Sequence, residues 1–259
     1  MNALLESKQL SKSFVIGKGN ARPILKDVDL QIEKGEFVAV MGPSGSGKST
    51  LLYNISGMDK MTSGTVRFNG WDLAALSEEE IAKLRLTEMG FVFQHIHLLR
   101  NLSIFDNIIL PAYLANHQSR KAINQRANAL MEKVGISELA ENDITQASGG
   151  QLQRVGICRA LINEPDIIFG DEPTGALNSA AANEIMDLLY DINRAGTTVL
   201  LVTHDVKVAA RADRVLFMLD GRIAAEKCLG KYAGSDTQNG SVSRAREEAL
   251  TVWLLERGF

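Results

Sequence analysis

The sequence predicts an α/β protein with a mainly parallel sheet and helices on both faces. Three observations predict it. Short continuous apolar runs, Phe37–Met41 and residues 167–169 and 199–202, the last within a strand expected over 198–203, suit strands buried on both faces. Helical patterns alternate with them, among them Ser179–Arg194. A glycine-rich turn at residues 42–47 joins the first buried run to a helix.

Each element has its own signal. The first ninety residues read as β-rich. After the glycine turn, residues 49–56 look helical and stop at Gly57, a C-terminal cap. Residues 65–68 alternate and end at Asn69-Gly70, a hairpin-turn pair. Ser77 with Glu80 reads as a capping box, placing a helix over residues 78–86. Residues 91–93 are a further strand. From about 98 to 162 the strand signal fades. Ala122, Ile123, Ala127, Leu130, Met131 and Val134 form a helical stripe closed by Gly135, and Pro111 is expected to end or kink any helix there. This stretch reads as a helical subdomain inserted into a sheet domain. Residues 215–219 and 222–224, with Asp220-Gly221 between, read as a hairpin. Residues 230–243 read as a linker. A last helix is expected over residues 244–257, with Ala245, Ala249, Val252 and Trp253 on one face.

Composition excludes several function classes. The chain has 259 residues, which means one large domain or two smaller ones at roughly 150 residues each. A net charge of −3 excludes a generally basic nucleic-acid binder. Two cysteines far apart, Cys158 and Cys228, exclude a disulfide scaffold or a paired-cysteine zinc site. No run approaches the roughly 18 apolar residues of a helical span, and the N-terminus has no apolar core of a signal peptide. The expectation is a soluble cytosolic protein, free to reach a membrane through a partner.

The chemistry is concentrated in a few motifs. Gly42-Pro43-Ser44-Gly45-Ser46-Gly47-Lys48-Ser49 fits the phosphate-binding loop pattern in full. Its glycines let backbone N–H groups converge on an anion, and the helix from Lys48 and Thr50 onward adds its positive end. Lys48 can reach the β- and γ-phosphates, and Ser49 can ligate Mg²⁺. Asp171 and Glu172 end a buried strand. Asp171 suits a Mg²⁺ ligand and Glu172, on the other face by alternation, a general base for the attacking water. Ser148-Gly149-Gly150-Gln151 opens another helix, with Ser148 as N-cap and two glycines leaving N–H groups open. This makes a second anion-binding helix N-terminus, which one nucleotide per chain does not need. The economical explanation is that it serves the nucleotide of another copy.

In this order, the P-loop, Gln94, Ser148-Gly149-Gly150-Gln151, Asp171-Glu172-Pro173-Thr174 and Thr203-His204-Asp205 resemble the ATP-binding cassette of ABC proteins over about residues 4 to 228. The resemblance implies a P-loop NTPase fold: a mainly parallel core sheet, an antiparallel β subdomain and the inserted helical subdomain. It implies a head-to-tail dimer with two ATP molecules at the interface. Gln94 matches the glutamine that senses Mg²⁺ and couples to the membrane subunit, His204 the switch histidine on the γ-phosphate, and Phe14 the aromatic under the adenine. Residues 88–94, 107–111 and 171–177 are most similar to cassettes of macrolide, lipoprotein-release and antimicrobial-peptide-resistance systems. Three positions depart from the pattern: Ala147 for leucine, Gly170 for a larger apolar residue, and Asn178 for aspartate. Asn178 is expected to weaken coupling between the two ATP sites.

The resemblance makes an ATPase driving a bacterial exporter the leading expectation. Its partners are a separate membrane permease and a second copy of itself, its cofactors ATP and Mg²⁺, and its place the inner face of the cell membrane. The alternatives are an ATP-driven switch acting on a membrane-bound cell-wall partner, a nucleic-acid ABC protein, and a clamp that binds ATP without hydrolysis. The absence of a second cassette or long coiled coil argues against the nucleic-acid class.

Overall fold

A computed structural model of the chain describes residues 3–16, 20–232 and 240–259. The chain forms two compact units, Met1–Ser77 with Asn193–Phe259, and Glu78–Ile192.

The first unit is built on two long strands, β1 (Ala3–Ile16) and β2 (Asn20–Glu33), paired antiparallel. β4 (Ser63–Phe68) adds to β1, and β5 (Trp71–Asp72) to β4 across the Asn69-Gly70 turn, giving the order β2-β1-β4-β5. Both turn residues have positive φ, 48° and 83°, as the Asn-Gly pair predicts. The same unit holds the strand order β10-β9-β3-β8. β3 (Phe37–Met41) runs parallel to β8 (Thr198–Val202) on one side and β9 (Arg214–Leu219) on the other. β10 (Arg222–Cys228) returns antiparallel to β9. All five residues of β3 and of β8 are buried, which accounts for the apolar sequence of β3 and of residues 199–202 in β8.

Arg214 fastens one corner of this unit. Its guanidinium bonds Glu36 at 2.7 and 3.1 Å and Glu226 at 2.9 Å. Burial alone would lower the Arg214 pKa, but hydrogen bonds and charges from Glu36 and Glu226 hold it above its ordinary value.

In the second unit β6 (Met89–Phe93) and β7 (Ile167–Asp171) pair in parallel, Met89 against Ile167 through Phe93 against Asp171. α2 (Glu78–Glu88) leads into β6. Between the two strands lie α3 (Ile104–Ala115), α4 (Arg120–Lys133) and α5 (Gly149–Leu161). Ile104, Ile108, Ile123, Ala127, Met131, Val155 and Cys158 form their shared core. Ser119 caps α4, and the expected stripe faces inward through Ile123, Ala127 and Met131. α6 (Ser179–Arg194) follows β7 with the predicted bounds.

Three expectations change. α3 continues through Pro111 to Ala115, because Ile108, Ile109 and Ala112 are buried on both sides of the proline and packing outweighs the lost backbone bond. The last helix, α8 (Gly240–Leu255), starts four residues earlier than expected and turns a different face inward. Leu250, Trp253 and Leu254 are buried, while Ala245, Ala249 and Val252 are exposed. The stripe at 246, 250, 253 and 254 was hidden because Arg246 begins it. Of the expected linker, residues 233–239 lie outside the described residues.

Asn107 locks the turn before α3. It is 1% exposed, accepts from Leu99 N–H at 2.8 Å, and donates to the carbonyls of Leu99, Leu102 and Ser103. Asn107→Ala leaves these groups without their partner and is expected to cost about 1–3 kcal/mol. Urea unfolding reads this as a lower midpoint at unchanged slope.

Candidate functional site

The loop after β3 is shaped by what a side chain would strike. At Gly42 φ is 151°, and a Cβ there would lie 2.1 Å from the Met218 carbonyl oxygen. Gly47, with φ 101°, is the N-cap of α1 (Lys48–Ile55), and the loop closes through Ser46 N–H to Pro43 O at 3.2 Å. No side chain caps α1 and no acid stands in its first turn. By contrast, Ser103, Ser119 and Ser148 cap α3, α4 and α5 with their hydroxyls. The α1 N-terminus therefore has a positive dipole with no capping side chain and no acid in its own first turn.

Two side chains complete the loop. Lys48, 9% exposed, donates to the carbonyls of Gly42 at 2.8 Å and Pro43 at 2.9 Å, curling over the loop. The buried Ser46 Oγ has no hydrogen-bond partner. A glycine cradle, uncapped amides and an orphaned hydroxyl fit the phosphates of a nucleotide. Ser44 and Gly45 are exposed beside them, and Ser49 and Thr50 are half-buried in the first turn of α1.

His204 belongs to the same unit. β3 and β8 are parallel neighbours in register Val40 to Val202, and Thr203 N–H donates to Val40 O at 3.1 Å. The chain ends carrying Gly42 and His204 thus leave adjacent strands at their C-terminal ends, where α/β sheets place ligands. His204 is exposed, and Asp205 caps the one-turn helix α7 (Val206–Ala209) after it. Phe14, on β1, is 43% exposed, with Lys12 Nζ 4.8 Å from its ring centroid.

The second unit gathers the acids. Gln94 N–H donates to Asp171 O at 3.0 Å, extending the β6–β7 ladder by one bond. A Cβ on Gly175 would lie 3.0 Å from Gln94 Nε2, so the Gln94 amide rests against the turn after the acids. That turn is closed by Gly175 N–H to Glu172 O at 3.0 Å. Glu172 has φ 49°, a conformation non-glycine residues avoid at a cost of about 1–3 kcal/mol. Strand alternation therefore stops at Asp171, and a turn, not the strand pleat, sets the direction of Glu172.

At α5 the structure qualifies the expected second anion site. Ser148 Oγ accepts from Gln151 N–H at 3.3 Å, and Gln151 Oε1 accepts from Ser148 N–H at 2.8 Å. This capping box occupies the third amide within the chain. Ser148 and Gly149 are exposed and Gly150 is half-buried. Of the three departures, Ala147 packs against the helical core, Gly170 is buried in β7 opposite Val92, and Asn178 caps α6 by accepting from Ala181 N–H at 2.9 Å.

Sequence reasoning missed several supporting residues. Lys12, 8% exposed, bonds Asp59 at 2.7 Å and Lys60 O at 2.6 Å beneath Phe14. Arg159 of α5 donates to the carbonyls of Ile96 and His97, fixing the loop that follows Gln94. Both act on backbone or distant residues, so no motif announces them. Burial pushes the Cys158 thiol up to about 12, which removes it as a nucleophile. Among the described residues no helix is long and apolar enough to cross a membrane.

Comparison with known proteins agrees with this arrangement. Residues 25–175 match the ABC transporter family. The chain is 39% identical over 242 residues to the lipoprotein-releasing system ATP-binding protein LolD 1 of Chlorobium chlorochromatii, covering 93% of this chain and 98% of that one. It is 44% identical to the probable syringafactin export ATP-binding/permease protein SyfD of Pseudomonas syringae, covering 87% of this chain and 34% of that one. A macrolide export ATP-binding/permease protein MacB, from Hahella chejuensis, is 40% identical over 97% of this chain and 39% of its own. The chain thus spans about a third of the length of these last two relatives. Among solved structures, the dimeric cassette MJ0796 bound to ADP and phosphate after hydrolysis superposes with a TM-score of 0.81 at 38% identity, covering 88% of this chain and all of that one. The chain belongs to the ABC transporter family and is an ATP-binding cassette of that family, an ATPase.

Proposed function

We propose that this cassette powers a bacterial exporter of the macrolide, lipoprotein or peptide type through a separate membrane permease. The observation that carries the nucleotide chemistry is the α1 N-terminus, uncapped and opened by Gly42 and Gly47. ATP phosphates would take its amides together with Ser44, Gly45 and Ser46, and Lys48 would exchange the Gly42 and Pro43 carbonyls for phosphate oxygens. Phe14 would stack under the base, its other face already beside Lys12. Mg²⁺ suits the oxygen donors Ser49, Gln94 and Asp171, and when bound supplies neutralisation of phosphate charge.

Glu172 would take a proton from the attacking water, and His204 would donate to the γ-phosphate. Ser148, Gly149, Gly150 and Gln151 would meet the nucleotide of a second copy in a head-to-tail dimer. The Ser148 capping box is compatible with this, because the amides of Gly149 and Gly150 are not the ones it occupies. The dimeric state of a cassette 38% identical supports the same assembly. The exporter class rests on the export and lipoprotein-release systems to which the relatives belong by name, and ATP closing the dimer would drive the permease on the inner face of the membrane.

Glu172→Gln is expected to lower kcat about 10²–10⁴-fold while ATP binding persists and an ATP-held dimer accumulates. Hydrolysis at the wild-type rate, read by phosphate release with the permease present, contradicts the assignment. Asn178→Asp keeps the α6 cap and adds charge at its N-terminus, so unfolding is expected about 0.3–1 kcal/mol higher. Chemical denaturation of the two forms measures it.

A further inference from the structure

We propose that Arg246 is a positioning residue for ATP hydrolysis: through it, the C-terminal helix α8 holds α7 and the histidine that precedes it. The proposal rests on the role given to His204 above. α7 is one turn long and begins two residues after His204. A single turn has little hydrogen bonding of its own: the carbonyls of Val206, Val208 and Ala209 are taken by the N–H groups of Ala210, Arg211 and Ala212 in the corner that follows, which leaves the carbonyls of that corner to be held from elsewhere. Asp205 secures the front of α7, its carboxylate accepting from Lys207 N–H at 2.8 Å.

Arg246 secures the back. Its Nε donates to Ala210 O at 2.8 Å, and Nη2 to Ala212 O at 2.7 Å and Gly230 O at 3.1 Å. Nη1 donates to Leu229 O at 2.8 Å. One guanidinium thus joins the corner after α7 to the chain leaving β10. A planar fork can span four carbonyls in this way, and an ammonium cannot. The helix that carries it is anchored by buried Leu250, Trp253 and Leu254, with Trp253 edge-on to Phe217 of β9 at 6.2 Å. The same corner reaches the strand that bears the P-loop, because Asp213 accepts from Phe37 N–H at 3.0 Å and from Lys231 Nζ at 2.6 Å. The segment from His204 to Asp213 is therefore braced at both ends, and Arg246 is the brace supplied by α8.

The test is steady-state ATPase kinetics of the full chain as wild type, R246M, R246K, H204A and H204A/R246M, at a temperature where circular dichroism shows each folded. R246M is expected to lower kcat about threefold to tenfold with KM within about twofold, R246K to fall between, and R246M to add nothing in the H204A background. R246M at the wild-type kcat, with H204A impaired, overturns the proposal alone. So does an R246M defect of the same factor with and without His204, which marks a merely structural role. H204A at the wild-type rate overturns the reading of the site itself. Where R246M does not fold, R246K decides by the same comparison against H204A/R246K.

Discussion

No side chain caps the first turn of α1 and no acid stands in it, and much of the first unit serves to keep it so. Backbone N–H groups in a folded chain are almost always satisfied. Here the N-cap is a glycine with φ 101°, no side chain reaches back, and a buried serine hydroxyl has nothing to bond. A nucleotide triphosphate has the charge and the acceptors to fill such a deficit. Lys48 holds the loop carbonyls at 2.8 and 2.9 Å, which keeps the loop formed without spending the amides. The buried β3, flanked by β8 and β9 in parallel register, fixes where the loop begins.

A second economy appears around the acids. Gln94, Asp171, Glu172 and Gly175 are linked by two backbone bonds and one side-chain contact, so the strand end and its turn move as one piece. The positive φ of Glu172 is the only backbone strain among the proposed site residues other than glycine. A position held in a disfavoured conformation needs surroundings that over-determine it. The Gly175 bond to its carbonyl and the ladder ending at Asp171 are those surroundings.

How much of this was legible in the sequence depends on whether a feature is local. The P-loop, the Asn69-Gly70 turn, the Ser148 cap and the bounds of α6 follow from local sequence. The mainly parallel fold follows from runs such as Phe37–Met41. Features set by packing were not legible. α3 passes through Pro111 because buried Ile108 and Ile109 before it and buried Ala112 after it hold it. α8 shows the wrong stripe because an arginine begins the buried one, and an arginine that spends itself on backbone carbonyls leaves no hydrophobic pattern. The register of β1 against β2, with shifts around Gln9, pairs residues as far apart as Ala3 and Glu33 and is set across the two strands. Within the site, residue identities could be read, but the turn at Glu172 and the Lys48 bonds to its own loop required coordinates.

The central claim is that the α1 amides are the phosphate site. The most direct measurement is a titration of the isotopically labelled chain with Mg·ADP, following backbone amide resonances. The account predicts that the amides of Gly45 to Thr50 shift most at the lowest concentrations, before those of Gly149 and Gly150. Saturable binding that leaves Gly45 to Thr50 unmoved would contradict it.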